Sequence, residues 1–112
     1  MKDIDAYGKF TEDFWFPVGR PGPLSPDEYG LVIMALGLPG EVGEACEHIK
    51  KYFRDGVLDR DALKKELGDV GYYWARICKF FGFEPSEVIA ANIEKLESRR
   101  TRGVLHGNGD NR

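Results

Sequence analysis

Cysteine is scarce in this chain: there are two in 112 residues, Cys46 and Cys78. They show no CxxC spacing, which argues against a disulfide framework or a thiolate metal site. Both lie among apolar neighbours and are expected as reduced core thiols of a cytoplasmic protein. Long apolar runs are missing, so nothing approaches the ~18 or more residues a membrane helix needs. The opening Met1-Lys2-Asp3-Ile4-Asp5 alternates charge with apolar groups and has no secretory h-region. A basic excess is also missing. Lys plus Arg number 16 against 19 Asp plus Glu, a net charge of −3, which argues against a general nucleic-acid binder needing to displace counterions. Strand-type alternation, internal repeats and domain linkers are absent. What remains is one domain's length, with a hydrophobic fraction of 42% that permits a modest core and argues against disorder.

The apolar residues recur at helical steps, and the expected class is all-α. A first helix is expected from Ile4 to Phe16, with Ile4, Tyr7, Phe10, Phe14 and Trp15 on one face. It should stop before Pro17, because the residue preceding a proline is pushed out of the α region. A loop rich in glycine and proline follows, from Val18 to Leu24. Ser25-Pro26-Asp27-Glu28 reads as a helix start, with an N-cap, proline at N1 and acids in the first turn. That second helix should run to Asp55 and end on Gly56. Its interior holds Gly30, Gly37, Pro39, Gly40 and Gly43, each glycine costing roughly 1 kcal/mol against alanine and the proline about 3. Either the helix breaks near Pro39, or a second backbone or a ligand approaches closely. Asp59 should cap a third helix carrying Leu63, Leu67, Val70, Trp74, Ile77, Cys78 and Phe81 up to Gly82. A fourth opens at Pro85-Ser86-Glu87 and runs toward Arg100. The tail from Gly103 to Arg112 is glycine-rich and polar and would be disordered if left alone. Four helices from so short a chain make a thin four-helix bundle, so completion by oligomerisation, as a homodimer or homotetramer, is expected.

Two acidic pairs carry the chemical signal. Glu41-Val42-Gly43-Glu44 and Glu66-Leu67-Gly68-Asp69 each put two carboxylates one turn apart on one helix face, where like charges repel. The short turn between the two helices should run them antiparallel, so the pairs can face each other across the groove. Four converging carboxylates are unfavourable unless protonated or bound to cations. Oxygen donors without Cys or His select Mg²⁺ or Mn²⁺. Spacing alone is weak in a chain with 19 acids, and Glu84/Glu87 and Glu94/Glu97 share it. Context separates them. Glu84 and Glu87 flank a proline at a helix start, where acids suit the dipole. Glu94 and Glu97 alternate with Lys95 and Arg99, as on a solvated face. Glu41, Glu44, Glu66 and Asp69 lie instead among small and apolar residues. Gly40, Gly43, Gly68 and Gly71 beside them would admit a bulky ligand close to the backbone.

Three blocks in order carry a resemblance: Gly37-Leu38-Pro39-Gly40-Glu41-Val42-Gly43-Glu44, then Lys65-Glu66-Leu67-Gly68-Asp69-Val70, then Asn92-Ile93-Glu94-Lys95-Leu96 with Arg99. Together they resemble the MazG-type all-α nucleoside triphosphate pyrophosphohydrolases, whose mark is an ExxE pair followed by an ExxD pair. The resemblance spans roughly residues 30 to 112. Pro39 stands where many members carry alanine. The closing Gly107-Asn108-Gly109-Asp110-Asn111-Arg112 is similar to the tail of a phage- and prophage-associated subgroup. The resemblance implies hydrolysis of an NTP to NMP and pyrophosphate with Mg²⁺, and no nucleic-acid or membrane partner is expected. A polyanionic triphosphate can sit in an acidic groove only through bridging cations, which also acidify a bound water. Glu41, Glu44, Glu66 and Asp69 would be the metal ligands. Glu41 or Glu44 would take the water's proton, with Glu47 a weaker candidate beside Lys50 and Lys51. Asn92, Lys95 and Arg99 share a face of the last helix and could reach the phosphates, although a basic helix end also suits the dipole. Asn111 or Arg112 could touch phosphate or base if the tail folds over the nucleotide. The base needs an apolar or aromatic pocket, for which Phe14, Trp15, Tyr73 and Trp74 are candidates, although aromatic rows at helical spacing more often build core. His48 and His106 read as surface residues. Two other readings compete. A di-metal carboxylate bundle would need Glu-x-x-His on two helices, and those imidazoles are missing. A non-catalytic helical interaction module would leave the embedded acids unexplained.

Overall fold

In the computed structural model, residues 3–15 and 22–112 are described. The expected stop at Phe16-Pro17, and the loop as far as Pro21, lie outside them. Four α-helices follow one another: α1 (Ile4–Thr11), α2 (Pro26–Asp55), α3 (Arg60–Phe80) and α4 (Pro85–Arg102). Among the described residues there is no strand, and no helix is long and apolar enough to cross a membrane.

The local signals place most helix ends. Asp3 caps α1 by accepting from the Asp5 and Ala6 amides. Ser25 and Glu28 form a reciprocal capping box at the start of α2, with Pro26 just inside it. Asp59 caps α3 through the Ala62 amide at 3.0 Å. The end of α3 is a Schellman turn on Gly82 (φ 77°), in which the Phe83 amide donates to the Cys78 carbonyl at 2.9 Å. Glu84 and Glu87 box the start of α4, and Gly103 (φ 72°) ends it.

Two expectations need correction, and the choice left open at Pro39 is decided. The α-helical part of the first segment ends at Thr11, and Glu12–Phe14 tighten into a 3-10 turn. The Thr11 hydroxyl donates back to the Gly8 carbonyl at 2.6 Å, a bond that competes with regular helix. Pro39 does not break α2, which runs through it for 30 residues; packing along α3 outweighs the lost bond. Cys46 is exposed, whereas Cys78 is buried as expected, and both are free thiols.

The dominant interface is between α2 and α3. It is antiparallel: Gly37 faces Tyr73, Glu41 meets Glu66 and Asp69, and His48 approaches Glu66, so one number falls as the other rises. An added Cβ on Gly37 would stand 2.5 Å from Tyr73 ring atoms, so the ring packs directly against the α2 backbone. Helix α1 packs on α3, and the start of α4 touches both. Asp5 joins α1 to α4 by accepting from the Ser86 amide at 2.8 Å and its hydroxyl at 2.6 Å. Gly8 presses on Pro85, where a Cβ would meet the ring at 2.9 Å.

The core is thin. Its buried hydrophobic residues are Met34, Ala45, Ala75 and Cys78, and burying a side chain such as Met34 contributes about 1.5–3 kcal/mol. The radius of gyration is 17.3 Å, against ~13 Å for a compact chain of this length. Leu36, Phe53 and Val57 on the hairpin, and Ile89, Ile93 and Leu96 on α4, remain exposed.

Candidate metal centre

Glu41 on α2 and Glu66 and Asp69 on α3 each offer a carboxylate oxygen, and these oxygens all lie within 4.8 Å of one another. Glu44 is not in that set and is exposed. Three residues along an α-helix are about 4.5 Å of rise and some 60° short of a full turn. The second acid of a pair is therefore offset from the first, and interhelical register decides which partner enters the cluster. On α3 both acids enter; on α2 only Glu41 does.

The cluster is electrostatically unsettled. Burial raises the Glu41 carboxyl above the usual glutamate range, helped by a proton shared with Glu66 and by the negative charges of Asp69, Glu66 and Glu44. No Lys or Arg forms an ion pair with any of the four acids among the described residues. The group that approaches is His48, whose Nε2 lies 3.8 Å from Glu66 Oε1. Glu47 is turned to its own helix, with Lys50 at 3.0 Å holding its carboxylate below the usual range. An all-oxygen donor set of three carboxylates lacking a basic partner fits a hard divalent cation such as Mg²⁺ or Mn²⁺. Gly40, Gly43, Gly68 and Gly71 have nothing within 4 Å of where a Cβ would stand. Their approach surface is open, so within this chain no second backbone accounts for them.

Glu41 and Asp69 form one side of a cleft of about 560 Å³. The rest of its lining is Tyr7, Phe10, Thr11, Phe14, Tyr72 and Tyr73. The Phe10 and Phe14 rings stack at 4.7 Å, tilted, and Phe14 is 57% exposed. These rings wall a cavity rather than fill a core. Thr11 is fixed from behind by Arg76, whose Nη1 donates to its hydroxyl oxygen at 3.2 Å. Arg76 is itself buried, with no partner for its Nε among the described residues. Tyr7 lies close enough to Asp69 that, after burial, this charge is the second cause raising its hydroxyl pKa.

Of the aromatic candidates, Phe14 and Tyr73 line this cleft. Trp15 instead lines a separate cavity of about 140 Å³ with Met34, Arg76 and Phe80. Trp74 is not among the lining residues of either cavity. Tyr7, Phe10, Thr11 and Tyr72 were missed by sequence reasoning. The signal was present in the three- and four-residue spacing of Tyr7, Phe10 and Phe14, which equally describes a core stripe.

Asn92, Lys95 and Arg99 do not line the acidic cleft. Lys95 and Arg99 belong to the far half of α4, onto which the tail folds. Lys95 Nζ and Arg99 Nη2 both donate to Asp110 Oδ1, at 3.1 and 3.2 Å, and Arg99 also reaches the Gly109 carbonyl at 3.2 Å. These contacts hold the Asp110 carboxyl below the usual range, Lys95 contributing most. Arg112 closes the tail on itself by donating to the carbonyls of Val104 (3.0 Å), Leu105 (3.1 Å) and Gly109. Its own carbonyl oxygen accepts from Arg102 at 2.7 Å. Asn92, Asn111 and His106 are exposed.

Comparison with known proteins finds relatives of this chain. The family model described as the MazG nucleotide pyrophosphohydrolase domain matches residues 32–104. A relative called "Gene 37 protein", from Mycobacterium phage L5, is 44% identical over 88 residues, covering 74% of this chain and 77% of the phage protein. No solved structure matches.

Proposed function

The chain belongs to the MazG nucleotide pyrophosphohydrolase family, and from this premise we propose that it hydrolyses a nucleoside triphosphate, ribo- or deoxyribo-, to the monophosphate and pyrophosphate, as a Mg²⁺-dependent cytoplasmic enzyme. The observation that carries the reading is the meeting of Glu41, Glu66 and Asp69 oxygens within 4.8 Å, two of these acids lining an aromatic cleft.

In balance, one water adds across the phosphoanhydride between the α and β phosphates. Its oxygen bonds to phosphorus, the bridging P–O bond breaks, and pyrophosphate leaves. Glu41, Glu66 and Asp69 would hold the divalent cation, with Glu44 as a further ligand from one turn beyond. When bound there, the cation supplies charge neutralisation for phosphate oxygens and acidifies water. Glu41 or Glu44, the two α2 glutamates, would take the water's proton. Phe14 and Tyr73 offer the base an apolar wall, in a cleft whose volume is within the ~300–1,000 Å³ usual for small-molecule sites. Trp15 is left out of this role by its separate cavity.

The phosphates need cations as well, and Lys95, Arg99 and Asn92 on α4 are the candidates, with Asn111 and Arg112 on the tail. None of them lines the cleft of its own chain. A homodimer or homotetramer would reconcile this by covering the exposed Ile89, Ile93 and Leu96 and bringing α4 of one copy toward the acids of another. Incubation with a panel of NTPs and dNTPs plus Mg²⁺, with product identification, tests the reading. Monophosphate and pyrophosphate are expected; orthophosphate with a diphosphate, or no turnover of any nucleotide, overturns it.

A further inference from the structure

We propose that Lys95 and Arg99 form an exchangeable anion site, closed by the chain's own Asp110 and opened when a terminal phosphate of a polyphosphate takes the carboxylate's place. The inference deepens the proposed function and rests on its assignment of the α4 cations to phosphate.

The occupant is a poor match for the donors around it. Lys95 Nζ and Arg99 Nη2 converge on the same oxygen, Asp110 Oδ1. The guanidinium is therefore engaged through one nitrogen, without the two parallel bonds that make arginine pairs strong. Arg99 is only 5% exposed, yet its Nε has no partner among the described residues. A buried cation with a spare donor can accept an anion bearing more oxygens and more charge. A terminal phosphate has three such oxygens. Meanwhile the Asp110 side chain is 82% exposed, so water and salt screen its ion pairs and make them easy to break.

The tail is built to leave as a unit. Arg112 ties it internally through three carbonyls, and those bonds need not break when Asp110 lets go. Among the described residues, release breaks, besides the Asp110 pairs, only the bonds from Arg99 to the Gly109 carbonyl and from Arg102 to the Arg112 carbonyl. Gly107 has no room for a Cβ, which would meet Arg112 Cδ at 2.8 Å, so the loop closes tightly around that side chain. At its base, Gly103 takes the left-handed conformation (φ 72°), a natural pivot next to the end of α4. The exchange involves no covalent step. One anion replaces another, and Asp110 departs still ionised.

The test is calorimetric titration of the full chain with inorganic tripolyphosphate, and in parallel with pyrophosphate, both in chelator. Asp110→Asn should bind roughly two- to five-fold tighter than wild type, the scale of an exposed ion-pair contribution. Lys95→Gln should bind more weakly. Glu94→Gln, removing an exposed negative charge from the adjoining position, should match wild type. Backbone amides of residues 107–112 in the wild type should gain fast motion on saturation, read as a lower heteronuclear NOE, which a merely nearby charge would not produce. Whichever polyphosphate binds identifies a substrate-like or a product-like occupant. The proposal falls if neither binds, if Asp110→Asn binds no tighter than Glu94→Gln, or if the tail amides stay still. If these results are as expected while the nucleotide panel shows no hydrolysis, the anion site stands and the proposed reaction falls.

Discussion

The two charged regions of this chain solve opposite problems. In the α2–α3 hairpin, three carboxylates are brought together with no lysine or arginine among the described residues paired to them. On the far half of α4, two cations are brought together and an acid from the tail is laid across them. The first region is left in deficit, its Glu41 pushed toward the protonated form. The second is self-satisfied, its Asp110 held firmly ionised. A cluster that the chain leaves uncompensated is one that needs something from outside. A cluster compensated by an exposed tail residue can exchange its partner.

Neutralising the hairpin acids should break the contrast most severely. Asp69→Asn or Glu66→Gln is expected to lower turnover by about 10²–10³-fold, the size of losing one preorganised electrostatic partner. Helix content by circular dichroism should stay unchanged, and Glu47→Gln, whose carboxylate belongs to Lys50, should be close to wild type. Survival of activity in Asp69→Asn, Glu66→Gln and Glu44→Gln alike would mean the acids are not the reacting centre.

The glycines of the hairpin sharpen the same comparison at a smaller scale. Gly37→Ala drives a methyl into the Tyr73 ring and should cost about 1–3 kcal/mol of stability, as overpacking does, partly offset by helix propensity. Gly43→Ala meets nothing in this chain and should stabilise the metal-free fold by up to about 1 kcal/mol. Should a ligand need that approach, turnover falls while the melting temperature rises. Thermal melts and kinetics on the same two variants separate these outcomes.

The pH response should be smaller still. The Glu41 carboxyl is raised in the folded state, so its stabilising contribution is complete below the ordinary glutamate range and is lost as pH rises through the raised value. Melts of metal-free protein between about pH 4 and 7 should therefore fall relative to Glu41→Gln as pH increases. Added Mg²⁺ or Mn²⁺ should restore the wild type and help the variant less. An identical pH dependence in both proteins would show that the acids do not press on one another. The two- to five-fold shift expected for Asp110→Asn is the smallest effect, because that group is so exposed.

Much of the fold was legible along the chain because helix ends are local events. Ser25 with Glu28, Asp59, Gly56 and Gly82 act on residues a turn away, and the helices begin or end there. Pro39 left two readings open along the chain, because its local cost is real but smaller than the packing of a long hairpin. Cys46 misled because an apolar neighbourhood in sequence is not burial in space. In the site, residue type and spacing picked out the acids, and the antiparallel hairpin followed from the short turn between α2 and α3. Which aromatics would wall the cleft was not legible. Tyr7, Phe10, Phe14 and Trp15 all belong to one segment, and the shift from α-helix to 3-10 turn after Thr11 sends Phe14 toward the acids and Trp15 toward Met34.

Sequence alone therefore determined the helical class, the caps and the presence of two acidic pairs, since each depends on interactions within a turn or two of the chain. Only the tertiary structure decided that Glu41 joins Glu66 and Asp69 while Glu44 stays outside, and that Asp110 returns to Lys95 and Arg99. Those outcomes depend on the sliding register of one helix against another and on the path of a tail, and no periodicity within a single helix encodes either.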